Sequence, residues 1–236
     1  MRKCVSYCMT RNIYPMVIPS MKSLLANNDI DQVYLITEDD DIGIELPDVC
    51  KVINVSNQQY ILRSSPNYNT HFTWMVMIRL ALPFILKDEE KVLSLDLDTI
   101  IQSNIEDLWD LDMKDKYVAG ATERDLTKYH GYPYINCGVM FMNLEKLRDG
   151  MGKKLLDLLN TKYYHFNEQD CMNEVLTDEQ KLIISPAYNY GFFNQGEMCM
   201  PRILHFAGHG RRFNDLDIVQ QWKAKDWGEI LKWCSA

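Results

Sequence analysis

No run of 18 apolar residues occurs anywhere in this 236-residue chain, which excludes a transmembrane helix of ordinary length. The basic N-terminus, MRKCVSYCMTRNIY, has no uninterrupted apolar stretch of signal-peptide size. The protein is therefore expected to stay where it is made, in the cytoplasm. Positive charge is in deficit: 25 Lys and Arg against 33 Asp and Glu leave a net charge of −8. That is the wrong sign for a non-specific nucleic-acid binder, which must displace counterions from phosphates. Seven cysteines lie at 4, 8, 50, 137, 171, 199 and 234 without a C-x-x-C pair. An odd count in a chain large enough to bury its own core reads as reduced thiols, mostly small buried hydrophobes, not staples or a cysteine metal site. Repeats, low-complexity tracts and Gly/Ser linkers are missing too, so a single domain over residues 1–236 is expected.

What is present is an ordinary globular composition, 47% hydrophobic and 25% charged. Apolar, β-branched runs alternate with helical patterns. Strands are expected at 3–9, 32–37, 51–55, 91–95, 117–121, 135–142 and 181–185. Helices are expected at 15–27, with Pro15 in the first turn, and at 72–86, where Pro83 kinks or ends the pattern. A helical stretch should fill 143–178, and one amphipathic helix should close the chain at about 215–234. The alternation implies one α/β domain with a mixed, mainly parallel sheet.

Asp-x-Asp occurs five times, at 29/31, 39/41, 96/98, 110/112 and 215/217, so it says little by itself. Only Asp96 and Asp98 directly follow a buried-strand pattern, KVLSL. Residues i and i+2 of an extended chain face one side, so both carboxylates can point into one site while Leu97 faces away. In open α/β sheets, ligands bind at the carboxyl ends of strands, where this pair falls. Two hard oxygen donors there suit Mg²⁺ or Mn²⁺ bound together with a diphosphate.

The stretch IRLALPFILKDEEKVLSLDLDTIIQSNIEDLWDLD resembles glycosyltransferase family 8, a retaining group with the GT-A fold. The match runs through Arg79, Asp96, Asp98 and Leu108-Trp109. YINCGVMFMNLEKLR resembles a second block of the family at Asn136, Gly138, Asn143, Leu144 and Arg148. FNEQDCMN resembles a third at Glu168, Gln169 and Asp170. ILHFAGHGRRF resembles the ending H-x-x-G-x-x-K at His205, Gly208 and, in place of the lysine, Arg211. The four blocks stand in the family's order across about residues 75–213. The resemblance implies a single GT-A-type, Rossmann-like domain. It also implies a nucleotide-sugar donor, a UDP-sugar, and a carbohydrate, glycan or other hydroxyl-bearing acceptor.

The same resemblance implies Mn²⁺, with Mg²⁺ as the other candidate, on Asp96, Asp98 and His205. It places Asn12, Arg79, Asp96, Leu97, Asn136, Gly138, Glu168, Gln169, Gly208 and Arg211 around the donor, and Gln169, Asp96, Asp98 and Glu168 in catalysis. One departure is plain: where family members carry aspartates after the first strand, this chain reads Thr10-Arg11-Asn12-Ile13-Tyr14.

Elementary chemistry leaves several roles open. His205, one of only five histidines, can be a core residue or the nitrogen ligand beside two carboxylates. Arg79, mid-helix among large apolar residues, needs a buried partner, whether structural or catalytic. Gly138 would leave room for a hexose, while glycines at 208 and 210 let backbone approach a diphosphate that Arg211 can clamp. Gln169 is a poor nucleophile, so it would stabilise charge in a front-face substitution instead of forming a covalent intermediate. The aromatic segment YHGYPY at 129–134 can stack on an acceptor sugar or pack on itself. A nucleotidyltransferase and an inactive nucleotide-sugar-binding module are the competing functions.

Overall fold

A computed structural model describes residues 2–194, 196, 198–208 and 210–233. The strands are β1 (Cys4–Cys8), β2 (Gln32–Thr37), β3 (Cys50–Asn54), β4 (Lys91–Leu95), β5 (Thr99–Ile101), β6 (Val118–Thr122), β7 (Ile135–Asn143), β8 (Lys181–Ile183) and β9 (Ile203–His205). Seven of them form one sheet in the order β3-β2-β1-β4-β7-β6-β8, while β5 and β9 pair separately. β1, β2, β3 and β4 are mutually parallel where they pair, and β6 is parallel to β8. β7 runs against both of its neighbours. The mixed, mainly parallel sheet is thus the expected one.

Both faces of this sheet are covered, which is why its strands read as near-continuous apolar runs. On β7, Val139 and Phe141 enter one core while Met140 and Met142 enter the other. Helix α1 (Val17–Asn27) seals the first core with Val17, Met21 and Leu24. The second is sealed by α2 (Leu82–Ile85), α5 (Met151–Thr161) and α6 (Asn167–Val175) through Leu82, Leu155, Leu159, Cys171 and Met172. The remaining helices are α3 (Arg124–His130), α4 (Leu144–Arg148), α7 (Asp217–Ala224) and α8 (Trp227–Trp233). Among the described residues, no helix is long and apolar enough to cross a membrane.

Three helix expectations need correction. The first helix does not begin at Pro15: residues Arg11–Met16 form a 3-10 turn, and α1 starts at Val17. Likewise 72–86 is a 3-10 segment, Trp74–Ala81, followed by α2, with Pro83 in the first turn of α2. Pro83 has no N–H to give the carbonyl of Arg79, and Leu82 N–H takes that carbonyl instead, tightening the turn. The closing helix is broken into α7 and α8. Lys22 Nζ, buried on α1, donates to the Lys223 carbonyl at 2.9 Å and to that of Lys225, while Asp226 accepts from Gly228 N–H at 2.7 Å. One helix is therefore terminated and the next capped within three residues. The short pair β5·β9, with Thr99 opposite His205, was not foreseen at all as a sheet.

The strand order reverses between β1 and β4, since β2 and β3 lie to one side and β7, β6 and β8 to the other. Asp96 follows β4 directly, so the acidic pair sits at the switch point, where such sheets open a crevice at their carboxyl ends.

Candidate metal and substrate site

Asp96 and Asp98 stand between β4 and β5, and His205 ends β9, which β5 carries to them. Their side-chain oxygens and ring nitrogen lie within 4.8 Å of one another. His205 Nε2 is 3.6 Å from Asp96 Oδ2 and 3.4 Å from Asp98 Oδ1. Burial works against charge on the imidazole, but hydrogen bonds to Asp96 and Asp98 outweigh it and raise its pKa to about 10. Burial also opposes charge on Asp96, yet Arg79 and His205 hold its carboxyl well below the usual range. Two carboxylates and one imidazole converging at such distances fit a divalent ion that accepts both oxygen and nitrogen.

Arg79 is almost fully buried on the 3-10 segment, and its guanidinium reaches the Cys137 carbonyl and Asp96 Oδ1. Its Nε lies 3.7 Å from Glu168 Oε1 and has no hydrogen-bond partner among the described residues. Burial pushes the Glu168 carboxyl up to about 7 against the opposing charge of Arg79. Glu168 and Gln169 are aimed into the cavity by Asn167, whose φ of +43° starts α6 in the left-handed region that asparagine tolerates. Gln169 is held at both ends: its Oε1 accepts from Cys137 N–H at 2.9 Å and its Nε2 donates to Glu123 Oε1 at 3.1 Å.

Of the residues expected from sequence, Arg79, Asp96, Asp98, Asn136, Gly138, Glu168, Gln169, His205 and Gly208 line one cavity of about 510 Å³. The rest fall elsewhere. Leu97 has its side chain buried in the core, leaving only its backbone to face a donor. Asn12 is exposed, accepts from Thr10 Oγ1 at 2.9 Å, and is not in this cavity wall. Beside it, Arg11 forks onto Asp39 at the end of β2, with Nε and Nη2 at 2.7 and 2.5 Å from the two oxygens. The Arg211 side chain lies outside the described residues.

Gly138 has a different role from the one expected. A Cβ there would lie 2.1 Å from His205 Cε1 and 2.7 Å from both ring nitrogens. The space above this glycine is filled by the imidazole, not kept open for a hexose. Other motif residues are scaffold: Asn143 caps α4, Arg148 binds the carbonyls of Pro83 and Glu89, and Trp109 packs edge-on against Phe141. The aromatic segment packs on itself at its core, with His130 stacked on the buried Tyr134 at 5.0 Å and 7°.

Seven contributors went unrecognised in the sequence. Glu123 follows the buried strand β6 as Asp96 follows β4, a positional signal that could have singled it out. Phe72, Phe166 and Phe192 line the same cavity with Leu126 and Val76, but scattered aromatics leave no local trace. Asn189, wholly buried, touches His205 Nδ1 at 2.8 Å through its Oδ1. Nothing in the stretch SPAYNYG distinguishes it.

The profile of glycosyl transferase family 8 matches residues 4–210. The glycosyltransferase GlyE of Streptococcus pneumoniae is 25% identical over 252 aligned residues, covering 92% of this chain and 60% of its own. The GlyE crystal structure superimposes with a TM-score of 0.73 at 22% identity, over all of this chain and 64% of that one. The galactosyltransferase LgtC, solved with donor and acceptor sugar analogues, gives a TM-score of 0.69 at 15% identity over 97% and 95% of the two chains. The chain thus spans about three-fifths of the length of GlyE while matching nearly all of LgtC. With the acidic pair, the histidine and the sheet order in place and the family profile covering most of its length, the chain belongs to glycosyl transferase family 8 and has the GT-A fold.

Proposed function

We propose that the chain is a retaining, metal-dependent hexosyltransferase. It would move a hexose from a nucleotide-sugar, a UDP-hexose, to a hydroxyl of a carbohydrate or glycan acceptor, using Mn²⁺ or Mg²⁺. The observation that carries this is the meeting of Asp96, Asp98 and His205 on one cavity wall with Arg79, Asn136, Glu168 and Gln169. A mixed oxygen and nitrogen donor set favours Mn²⁺ over Mg²⁺. When bound, the ion supplies Lewis-acid neutralisation of the departing diphosphate.

The chain's own residues do the rest. Arg79 holds Asp96 in place and keeps it charged. Asn136, whose amide nitrogen donates to Glu123 Oε1 at 2.6 Å, and the carboxylate of Glu168 offer polar groups to sugar hydroxyls. Gln169 is tethered at both ends, to the Cys137 N–H and to Glu123, which supports a fixed orientation of its amide. That tethering favours the reading of Gln169 as a fixed dipole which would stabilise developing positive charge, in place of a nucleophile. The apolar wall of Phe72, Phe166 and Phe192 would give a pyranose a face to stack on.

Incubation with a panel of nucleotide-sugars and Mn²⁺ tests the assignment by the leaving group. Release of a nucleoside diphosphate is expected; pyrophosphate would point to nucleotidyl transfer, and no turnover with any donor to a binding module. Early proton NMR of the product should show the donor's anomeric configuration, and an inverted signal would overturn retention. Gln169→Ala should lower turnover by about 100-fold in a folded protein, the effect of losing one electrostatic stabiliser. Complete loss in a variant that still binds donor would favour a covalent intermediate.

A further inference from the structure

We infer that Asn189 is a positioning residue that holds His205 with its proton on Nδ1, so that Nε2 is left to face Asp96 and Asp98. The inference rests on the reading of those three residues as the metal site.

Backbone donors dictate the outcome step by step. Gly138 N–H lies 2.9 Å from Asn136 Oδ1, and only the oxygen of that amide can accept it. The other end of Asn136 is therefore its NH₂, which indeed meets the acceptor Glu123 Oε1 at 2.6 Å. Asn136 Oδ1 is also 2.8 Å from the Asn189 side chain, so the group facing it there must be a donor, Nδ2. The opposite end of Asn189 is then Oδ1, an obligate acceptor, placed 2.8 Å from His205 Nδ1. The imidazole must carry hydrogen on that nitrogen.

Turning the Asn189 amide over would set two acceptors against each other at Asn136, whose oxygen is already fixed by Gly138 N–H. Asn189 is fully buried and the His205 side chain is 2% exposed, so water cannot relieve that contact. The ring has little freedom to move away: Gly138 lies beneath it and Phe193 packs edge-on at 5.6 Å. Asn189 itself is anchored, because its backbone carbonyl accepts from Asn194 Nδ2 at 2.9 Å. The same ladder ends at Glu123, which also receives Gln169. One set of amide dipoles thus orients both the nitrogen ligand and the residue proposed to stabilise charge.

Mn²⁺ alone, followed by loss of its free-ion EPR signal, measures the consequence. Asn189→Ala should weaken Mn²⁺ binding by roughly 10- to 100-fold, as expected when a partner that orients a ligating histidine is lost. Asn189→Asp keeps an acceptor opposite Nδ1 but sets its second oxygen against Asn136 Oδ1, so it should recover only part of the affinity lost in Asn189→Ala. In wild-type protein labelled with ¹⁵N-histidine and loaded with Mg²⁺, a protected downfield proton should be coupled to Nδ1 and be missing from His205→Ala. This holds whether or not the alanine variant at 189 folds.

If His205→Ala weakens Mn²⁺ binding while folded Asn189→Ala does not, the role of Asn189 is overturned and the metal site stands. A wild-type Nδ1 found without its proton overturns it equally. If neither variant weakens Mn²⁺ binding, the metal-site reading fails and Asn189 has no ligand to position.

Discussion

Gly138→Ala is expected to abolish metal-dependent turnover while leaving the sheet intact. The added methyl would sit 2.1 Å from His205 Cε1, far inside contact distance, so one of the two must move. The backbone at 138 has little room to retreat, because Gly138 O accepts from Asp96 N–H at 2.7 Å, Gly138 N–H donates to Asn136 Oδ1 at 2.9 Å, and the next residue, Val139, is paired with Leu95. The ring must therefore leave, and it takes the nitrogen ligand away from Asp96 and Asp98. An ion that stabilises transition-state charge contributes several kcal/mol, so turnover with Mn²⁺ should fall by on the order of 10³-fold or more. Mn²⁺ affinity and turnover are the direct measurements. A double-mutant cycle separates the clash from general damage: with His205→Ala already present, adding Gly138→Ala should cost little further thermal stability. Wild-type Mn²⁺ binding by Gly138→Ala would mean that the histidine does not lie over this glycine.

The second large effect is on stability. Arg79→Met should destabilise the protein by about 3–5 kcal/mol, the usual consequence of removing one partner from a buried ion pair. Arg79 is the cation that faces Asp96 and the nearly buried Glu168. The loss should also depend on pH in a definite direction. Burial already holds the folded pKa of Glu168 at about 7, above the ordinary glutamate value of 4.5, with Arg79 opposing the rise. Without the guanidinium the folded pKa climbs further. An acid whose pKa is higher folded than unfolded binds more protons in the folded state. Its stability is then fullest below the unfolded pKa and declines as pH rises through the folded one. Urea unfolding at pH 5.5 and at pH 8 should accordingly show the larger cost at pH 8. A cost that is equal at both would show that Glu168 does not sense Arg79.

How much of this was legible in the chain differs from element to element. The strands at 32–37 and 91–95 were readable to the residue, because a sheet buried on both faces demands unbroken apolar runs. The acidic pair was readable from the period of two that sets Asp96 and Asp98 on one side of extended chain. The division of 72–86 into a 3-10 segment and a short α-helix was not, since both conformations bury nearly the same stripe and only the missing N–H of Pro83 separates them. β5 and β9 span three residues each, too few for a pattern, and each has its partner far along the chain.

Local sequence was enough for the inventory of the site: two carboxylates after a buried-strand pattern, one of five histidines, an arginine that could not be buried alone, and a glutamine too weak to attack. Those follow from local periodicity and from the intrinsic chemistry of each side chain. Tertiary structure alone decided what those groups face. It placed the His205 ring over Gly138, where the glycine had read as space for a sugar, and brought Glu123 against Asn136 and Gln169. It also left Asn12 outside the cavity and put Asn189 behind the histidine. In a dry interior most donors find an acceptor, and the partners come from strands and loops far apart in the chain. The direction of an amide, the tautomer of an imidazole and the purpose of a missing side chain are therefore properties of the packed assembly and of no single stretch of residues.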